Sequence, residues 1–336
     1  MVNKPGVSVI ICCYNSSLLL EQTLLHIITQ KTDEDVNYEV IIVDNASTDG
    51  TQQKAKEIWY KNNQGNINLN VIFEPTPGLA NARQRGINEA KYEYLVFCDD
   101  DNRLDEYYLS NVVKLFNTHA NAAVLGGNGT ADFAKGFVQP TWFKAFYQSY
   151  ATGALAANEG VVSSVYGAGM AVRKSVLKQL AGMCPMLLAD RKQKQLTSGG
   201  DTEICLRARL AGYQILYSPE LTFKHFLVPQ RLTWPYLKKL HIGLAKSYMV
   251  INLYELALNN LPAKLPPFYW LKKTIYYWGI FFKYWPKHFA AYKKKEGAIE
   301  EIRHLMWKHI ALVYMASNFK TIAIYRQIIE LKNNLK

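Results

Sequence analysis

Short apolar runs alternate with amphipathic segments through the first 230 residues of the chain. The apolar runs, rich in Val, Ile, Phe and Tyr, predict buried strands at residues 7–13, 38–43, 69–73 and 92–98. The segments between them predict helices at residues 18–30, 51–62, 78–90 and 106–118. Strands that are apolar along their length and separated by helices are typical of a mostly parallel sheet covered on both faces. The pattern therefore predicts an α/β fold.

Polar residues come directly after three of these predicted strands. Tyr14 and Asn15 follow the first, Asp44 follows the second, and an acidic triplet follows the fourth. Ligands of parallel sheets bind where the carboxyl ends of the strands meet, so we expect these residues to converge on one crevice. Tyr14 is suited to stack on a nucleobase, Asn15 to shape a backbone turn, and Asp44 to accept hydrogen bonds from a base or ribose. A turn or capping role is the alternative for Asp44.

The acidic triplet consists of Asp99, Asp100 and Asp101. Three adjacent carboxylates repel one another, and their pKa values rise unless a positive charge compensates them. In an extended chain Asp99 and Asp101 would point to one side and Asp100 to the other. Carboxylate oxygens suit Mg²⁺ or Mn²⁺, which also bind phosphate oxygens. The triplet therefore predicts a divalent metal cofactor and a bound diphosphate, with a solvated acidic turn as the alternative.

Composition narrows the class of protein further. With 336 residues, 49% of them hydrophobic, the chain is long enough for one large α/β core with an appendage. Its five cysteines form no CxxC pair, which favours free thiols in a reducing compartment over zinc sites or disulfides. The first residues lack the features of a secretion signal. We expect a cytoplasmic protein.

The last third of the chain differs from the rest in charge and aromatic content. From residue 231 to residue 336 there are 18 Lys and Arg against 5 Asp and Glu, whereas the whole chain has a net charge of +12. The same part contains 20 of the 43 aromatic residues. This shift, with Pro229 and Pro235 beside it, predicts a boundary near residue 230. We expect residues 1–230 to form one domain and residues 231–336 a helical C-terminal region.

Aromatic residues interleaved with lysines dominate residues 268–285. The apolar run at residues 274–282 is too short for a membrane span, which needs about 20 residues. The composition suits the interface of an anionic membrane, such as the inner face of the plasma membrane, where Trp and Tyr lie at headgroup depth and Lys contacts phosphates. A helical subdomain with an aromatic core is the alternative. Nucleic acid is not an expected partner, because no binding motif is present and the acidic crevice would repel a polyanion.

Four segments together form a recognisable pattern: residues 7–15 (VSVIICCYN), 41–49 (IIVDNASTD), 77–83 (PGLANAR) and 97–101 (FCDDD). In order and spacing they resemble the family 2 glycosyltransferases of the GT-A fold, a Rossmann-like sheet flanked by helices. The resemblance extends from residue 7 to about residue 228. It implies that Tyr14 and Asp44 hold the uracil of a nucleotide. It also implies that Asp99 and Asp101 bind Mn²⁺ or Mg²⁺ together with the diphosphate of a nucleotide sugar.

A fifth segment, residues 198–213 (SGGDTEICLRARLAGY), resembles the acidic helix start of that family, where an aspartate removes the proton of the acceptor hydroxyl. Asp201 occupies that position. The family often has an acidic residue just before this aspartate, where Gly200 stands here, and it stays open whether Glu203 assists Asp201. The alternative is that Asp201 only caps a helix whose Arg207 and Arg209 face solvent.

Three further elements are weaker candidates. Arg83 lies near a predicted helix start, where it could meet a phosphate or the acidic strand end, or be a surface arginine. His225 follows a predicted strand and could contact the diphosphate or the metal, although a lone histidine is more often packed. Residues 165–173 (VYGAGMAVR) resemble the strand and turn on the sugar and acceptor side of the family's site, with an ordinary turn as the alternative.

The resemblance implies an inverting enzyme that moves a sugar from a nucleotide diphosphate, with UDP as the expected nucleotide, to an acceptor hydroxyl. The expected acceptor is a glycan or lipid-linked intermediate of cell-surface polysaccharide synthesis. Two other classes stay open. One is a non-catalytic nucleotide-sugar sensor, and the other is a module that binds a membrane or nucleic acid through the basic tail.

Overall fold

The computed structural model describes residues 6–32, 36–65, 67–188, 199–259, 263–289 and 296–335. Its strands are β1 (Val7–Cys13), β2 (Tyr38–Asp44), β3 (Asn68–Phe73), β4 (Tyr94–Asp99), β5 (Asn102–Leu104), β6 (Ala122–Phe133), β7 (Gly160–Val161), β8 (Ala171–Arg173) and β9 (Gln214–Leu227). Its helices are α1 (Leu20–Ile28), α2 (Thr51–Asn62), α3 (Leu79–Glu89), α4 (Tyr108–Thr118), α5 (Phe143–Phe146), α6 (Lys174–Met183), α7 (Gly200–Leu210), α8 (Trp234–Leu258), α9 (Tyr269–Phe289), α10 (Ile299–Ser317) and α11 (Lys320–Asn334). The predicted α/β fold is confirmed.

The strands form one sheet in the order β3-β2-β1-β4-β8-β6-β9-β5, with β7 paired to β9. The first four strands are parallel, as their apolar character predicts. Beyond β4 the sheet is mixed, because β8 runs antiparallel to both of its neighbours. The register pairs Cys13 with Asp44 and Cys12 with Asp99, so the first, second and fourth strands end at the same edge. That edge is where the predicted polar residues come together.

Two apolar layers cover the faces of the sheet. In β1 the side chains of Val9 and Ile11 pack on the face that carries α1 and α4, whereas Ile10 packs on the face that carries α3 and α7. This division follows the alternation of side chains along a strand. Helix α3 lies so close to the sheet that a Cβ atom at Gly86 would be 2.5 Å from Ile10 Cγ2. A glycine is therefore needed at that contact.

The C-terminal helices form a separate layer with an aromatic core. Tyr254, Tyr277, Tyr314 and Tyr325 are buried there. The same apolar cluster includes side chains of α7, so it crosses the boundary predicted near residue 230. The expected helical C-terminal region is confirmed, and the division into two domains stays a prediction. In the described ranges, no helix has the length and apolar character required to cross a bilayer.

The direction of these helices follows from their contacts. Helix α10 runs parallel to α8, because the Trp234 indole donates to Glu301 at one end (2.9 Å) while the Tyr314 hydroxyl donates to Asn252 near the other (3.0 Å). Helix α9 runs antiparallel to α10, since the Tyr277 ring stacks on Tyr314 at 6.1 Å while the Phe281 ring, further along α9, stacks on the earlier residue His304 at 3.9 Å. The C-terminal end of α9 therefore lies at the same end of the layer as the start of α8.

Candidate active site

A cavity of about 710 Å³ opens at the carboxyl edge of the sheet. Seven of the predicted site residues line it: Tyr14, Arg83, Asp99, Asp100, Asp101, Asp201 and His225. Asn15 and Asp44 are not among the described residues that line the cavity, although their neighbours Tyr14 and Asn45 are. The fold thus brings together residues that are more than 200 positions apart in the chain.

The turn after β1 is shaped by Asn15. This residue has a φ of +54°, in the left-handed region that asparagine tolerates better than most residues. Its side-chain oxygen accepts a hydrogen bond from the Thr48 amide (2.9 Å), and its own amide donates to Ser47 Oγ (2.9 Å). The turn leaves the ring of Tyr14 58% exposed at the mouth of the cavity. Tyr14 is thus free of packing against the core and presents an open aromatic face.

The residues after β2 form a second rigid turn. The Asp44 carboxylate is buried and accepts hydrogen bonds from the Ser47 amide (3.2 Å) and from Gln52 Nε2 (2.7 Å). Asn45 accepts a hydrogen bond from the Gly78 amide through Oδ1 (2.7 Å), which fixes the loop before α3. Sequence patterns alone did not identify Gln52 or Asn45 as site residues. Both residues hold the edge of the cavity in shape.

The acidic triplet does not continue the strand. Because β4 ends at Asp99, Asp100 and Asp101 form the turn into β5 and do not extend the strand. The Ser16 hydroxyl donates to the Asp100 carboxylate. Burial, the neighbouring Asp101 and then Asp99 raise the pKa of Asp100, as expected for crowded carboxylates.

Asp101 points to the opposite side of this turn and is 4% exposed. Arg231 Nη1 donates to its Oδ2 at 2.7 Å, and His225 Nε2 lies 3.4 Å from its Oδ1. Burial alone would lower the pKa of His225, but Asp101 beside it outweighs this effect, and the pKa is raised. Arg231 therefore supplies positive charge to the acidic turn. The sequence missed this residue because the boundary near residue 230 assigned it to the tail.

The donor set around the acidic turn fits a divalent cation. Besides the carboxylates, it contains the buried Nε2 of His225, which makes no hydrogen bond within the described part of the chain. The other ring nitrogen, Nδ1, lies 2.7 Å from the Tyr150 carbonyl oxygen, a contact that requires a proton on Nδ1 and leaves Nε2 as the nitrogen that can bind a metal in the neutral ring. Across the described residues, however, no three His, Cys, Asp or Glu side chains are already gathered around one point suited to a metal ion.

Asp201 enters the cavity from the first turn of α7. Its Oδ2 accepts a hydrogen bond from the Gly167 amide (2.9 Å), within the segment 165–173 that the sequence singled out. A Cβ atom at Gly167 would lie 2.8 Å from Asp201 Oδ2 and 3.2 Å from Arg83 Nη2. Asp201 and Arg83 therefore approach the same glycine. The Arg83 guanidinium is buried over the Phe97 ring at 5.3 Å, so a surface role for it is wrong.

Glu203 lies on the opposite face of α7. It accepts hydrogen bonds from the amides of Leu187 (2.7 Å) and Leu188 (2.6 Å) and from the Tyr254 hydroxyl (2.8 Å). Burial raises its pKa, and it does not reach the cavity. Residues two positions apart on a helix do not share a face. Glu203 thus joins α7 to the C-terminal helices and is too far round the helix to assist Asp201.

The alternative in which Asp201 caps a helix with exposed arginines is also wrong, both in the cap residue and in the position of Arg207. The residue at the cap position of α7 is Gly199, with a φ of +133°. Arg207, expected at the surface, is 2% exposed and donates to the carbonyl oxygens of Leu180 (2.6 Å) and Cys184 (2.5 Å). Trp142, which precedes α5, packs against Trp234 in an apolar cluster, with ring centroids 5.6 Å apart.

The sequence profile described as "Glycosyl transferase family 2" matches residues 8–181, just over half of the chain. The chain belongs to this family. Among curated relatives, it is 24% identical over 230 residues to the poly-beta-1,6-N-acetyl-D-glucosamine synthase of Staphylococcus aureus (strain COL), covering 68% of this chain and 51% of the synthase. It is 28% identical over 222 residues to glycosyltransferase AglE of Haloferax volcanii, covering 66% of this chain and 67% of AglE. The chain spans about half the length of the synthase it matches.

Solved structures share the family fold. Residues 1–349 of TarS from S. aureus, crystallised with UDP-GlcNAc, align with a TM-score of 0.53 at 17% identity, covering 98% of this chain and 92% of that one. Mannosyltransferase PcManGT from Pyrobaculum calidifontis, in complex with GDP-Man and Mn²⁺, aligns with a TM-score of 0.54 at 17% identity, covering 96% and 74%. At this identity the likeness establishes the GT-A fold of the chain.

Proposed function

We propose that this protein is an inverting glycosyltransferase that moves a sugar from a nucleotide diphosphate donor to an acceptor hydroxyl. The observation that carries the proposal is the convergence of the acidic turn, His225, Arg231 and Asp201 on one cavity at the carboxyl edge of the sheet. A transferase needs a site for the leaving diphosphate and a base for the acceptor within one space. Membership of glycosyl transferase family 2 supports this assignment.

The donor nucleotide is proposed to bind at the ends of β1 and β2. The exposed ring of Tyr14 is available for stacking on the base. Asp44 and Gln52 are hydrogen-bonded to each other in the region after β2, and we propose that this pair hydrogen bonds with the base. We propose UDP as the nucleotide. The TarS neighbour was crystallised with UDP-GlcNAc, which supports the choice, whereas the PcManGT neighbour holds GDP-Man.

The diphosphate is proposed to lie over the acidic turn. Asp99, Asp101 and His225 would hold Mn²⁺ or Mg²⁺ there, and the ion would neutralise the charge that develops on the leaving diphosphate. The guanidinium of Arg231 is close enough to Asp101 to bind a phosphate oxygen of the same group. Asp100 supports the turn through Ser16 and does not face Asp101's partners.

Asp201 is proposed as the general base. Its carboxylate takes the proton of the acceptor hydroxyl while the oxygen attacks the anomeric carbon from the side opposite the leaving diphosphate, which inverts the configuration. The hydrogen bond from the Gly167 amide fixes the orientation of the carboxylate. The Arg83 guanidinium, which also lies close to Gly167, adds positive charge near the Asp201 carboxylate.

We propose that a glycan or lipid-linked acceptor binds along the wall of the cavity that α8 forms. Tyr236, Leu240 and Leu244 line that wall at intervals of four residues along α8. An apolar stripe of this kind suits the non-sugar part of an acceptor, and the S. aureus relative is named as a polysaccharide synthase. The five free cysteines support a reducing, cytoplasmic compartment. We keep residues 1–230 as the proposed catalytic domain and residues 231–336 as the proposed helical region.

The test is a panel of nucleotide sugars assayed for release of nucleoside diphosphate, with and without Mn²⁺ and with candidate acceptors. We expect release from a UDP-sugar that requires Mn²⁺. Asp101→Asn should weaken UDP binding at least about 100-fold and reduce turnover, because it removes a metal ligand. Asp105→Asn, at an exposed position just after β5, is the matched control. Tight binding of a nucleotide sugar without release of diphosphate for any acceptor would instead favour a sensor.

A further inference from the structure

Helix α9, together with Phe268 just before it, carries a surface of apolar side chains that are each more than a third exposed. Its members are three, four or seven residues apart and range from 39% exposed at Leu271 to 65% at Phe282. We call it the aromatic seam, and it consists of Phe268, Leu271, Ile275, Phe282, Trp285 and Phe289. The spacing places all six side chains on one side of the helix. The other side of α9, with Tyr277 and Phe281, is buried against α10.

Positive charge accompanies this seam. Between residues 268 and 289 the sequence contains four lysines and no aspartate or glutamate. Lys272 and Lys283 are exposed beside the seam. The ammonium groups of Lys273 and Lys283 lie 5.5 Å and 5.6 Å from the ring centres of Tyr269 and Tyr284, so charge and aromatic surface lie close together. The seam is therefore an apolar stripe with basic flanks.

The charge decides between two occupants. A second copy of this chain would bring lysines against lysines, because α9 offers no acidic residue to pair with them. An anionic bilayer surface complements both features, since its headgroups attract the lysines and its acyl boundary accepts Phe, Trp and Ile. We propose that the aromatic seam of α9 docks this protein on an anionic membrane, with the helix lying parallel to the surface.

The C-terminal end of the seam lies near the cavity. Near its C-terminal end, Trp285 packs 5.1 Å from His304 of α10. Glu301, one helical turn before His304 on α10, accepts a hydrogen bond from Trp234. Trp234 in turn lies three residues after Arg231, which contacts the acidic turn. The seam therefore ends at the end of the helical layer that borders the cavity. A docked molecule would hold its cavity near the bilayer, where a lipid-linked acceptor resides.

Vesicle co-sedimentation of the full chain tests this proposal without donor or acceptor, so its outcome does not depend on the proposed reaction. We expect binding to vesicles of phosphatidylcholine with phosphatidylglycerol, weak binding to phosphatidylcholine alone, and weaker binding as salt rises. Phe282→Ser with Phe289→Ser should lower the partition coefficient at least about tenfold. Tyr60→Ser, at a 74% exposed position on α2, is the matched control and should bind like the unmodified chain.

Charge reversal and sedimentation velocity complete the test. Lys272→Glu with Lys283→Glu should abolish the preference for anionic vesicles, whereas Lys54→Glu with Lys56→Glu, both exposed on α2, should not. All variants are expected to keep the thermal unfolding midpoint of the unmodified chain, because their side chains are exposed. Equal binding to neutral and anionic vesicles would overturn the proposal. A dimer that dissociates when Phe282 and Phe289 are replaced would also overturn it and would assign the seam to a second copy.

Discussion

The carboxyl edge of the sheet and the C-terminal helical layer differ in what determines the positions of their side chains. At the sheet edge, polar side chains lie where strands end, and their positions follow from the backbone register. In the helical layer, aromatic packing decides which groups are buried. Helix α7 belongs to both regions, since Asp201 faces the cavity and Glu203 binds Tyr254 of the layer. Two carboxylates of the same helix turn thus have different tasks because they point in different directions.

The largest expected effect separates these two carboxylates. Asp201→Asn should lower turnover about 1000-fold, because the amide cannot accept the hydroxyl proton. Its thermal unfolding midpoint and its affinity for UDP should stay close to those of the unmodified protein. Glu203→Gln should lower the thermal unfolding midpoint and leave turnover close to normal, since an amide NH2 group replaces one of the two oxygens that accept from the Leu187 and Leu188 amides. Differential scanning fluorimetry and a diphosphate-release assay measure both properties.

The contrast would fail in either of two ways. Near-normal turnover of Asp201→Asn would remove Asp201 from the role of base. Normal stability combined with lost turnover in Glu203→Gln would show that Glu203 takes part in the reaction.

Arg231 connects the two regions, and its replacement has the next largest expected effect. Arg231→Gln should weaken UDP binding in the presence of Mn²⁺ about 100-fold, because a charge-assisted contact to the diphosphate is lost. Isothermal titration calorimetry measures this change. Arg209→Gln, which breaks an ion pair with Glu255 (2.7 Å) away from the acidic turn, is the control. Unchanged affinity for Arg231→Gln would mean that Arg231 only compensates Asp101 when metal is absent.

His241, in the helical layer, should make the free energy of unfolding depend on pH. It is buried against Phe146, and burial lowers its pKa from 6.5 to about 4. The unfolded chain therefore takes up a proton at higher pH than the folded protein, and stability is lost as the pH falls from about 6.5 to 4. This histidine should make the free energy of unfolding about 2 kcal/mol smaller at pH 5 than at pH 7. Urea titrations of His241→Gln should show this part of the pH dependence missing, and an unchanged difference would contradict the assignment.

Replacing Gly167 has a smaller expected effect and tests whether the contact with this glycine positions the Asp201 carboxylate. In Gly167→Ala the new methyl group would meet Asp201 Oδ2 at 2.8 Å and push the carboxylate from its position. We expect turnover to fall about tenfold, because a displaced base aligns poorly with the hydroxyl. Gly136→Ala, where nothing lies within 4 Å of the added atom, shows the effect of an alanine in open space, although its φ of +79° adds local strain. Equal turnover of Gly167→Ala and the unmodified protein would show that Asp201 is not held in place by this contact.

Local patterns predicted the helices and all but one of the strands that the structure describes in the first 118 residues, and they missed the short strand β5. The predicted strands and helices there lie within about two residues of the observed ones, since continuous apolar strands and amphipathic helices are local features. The parallel order of the first four strands followed from the same features. The antiparallel β8 and the turn at Asp100 did not follow, because pairing partners and strand ends depend on distant segments.

The sequence by itself determined the α/β fold, the chemistry of the residues at the strand ends and the basic, aromatic character of the last third. Only the tertiary structure decided which of these groups meet. It brought Arg231 to Asp101, 130 positions away in the chain, and it turned Glu203 away from the cavity. Local patterns encode which residues are apolar or charged. The partners of a side chain depend on packing between segments that are far apart in the chain.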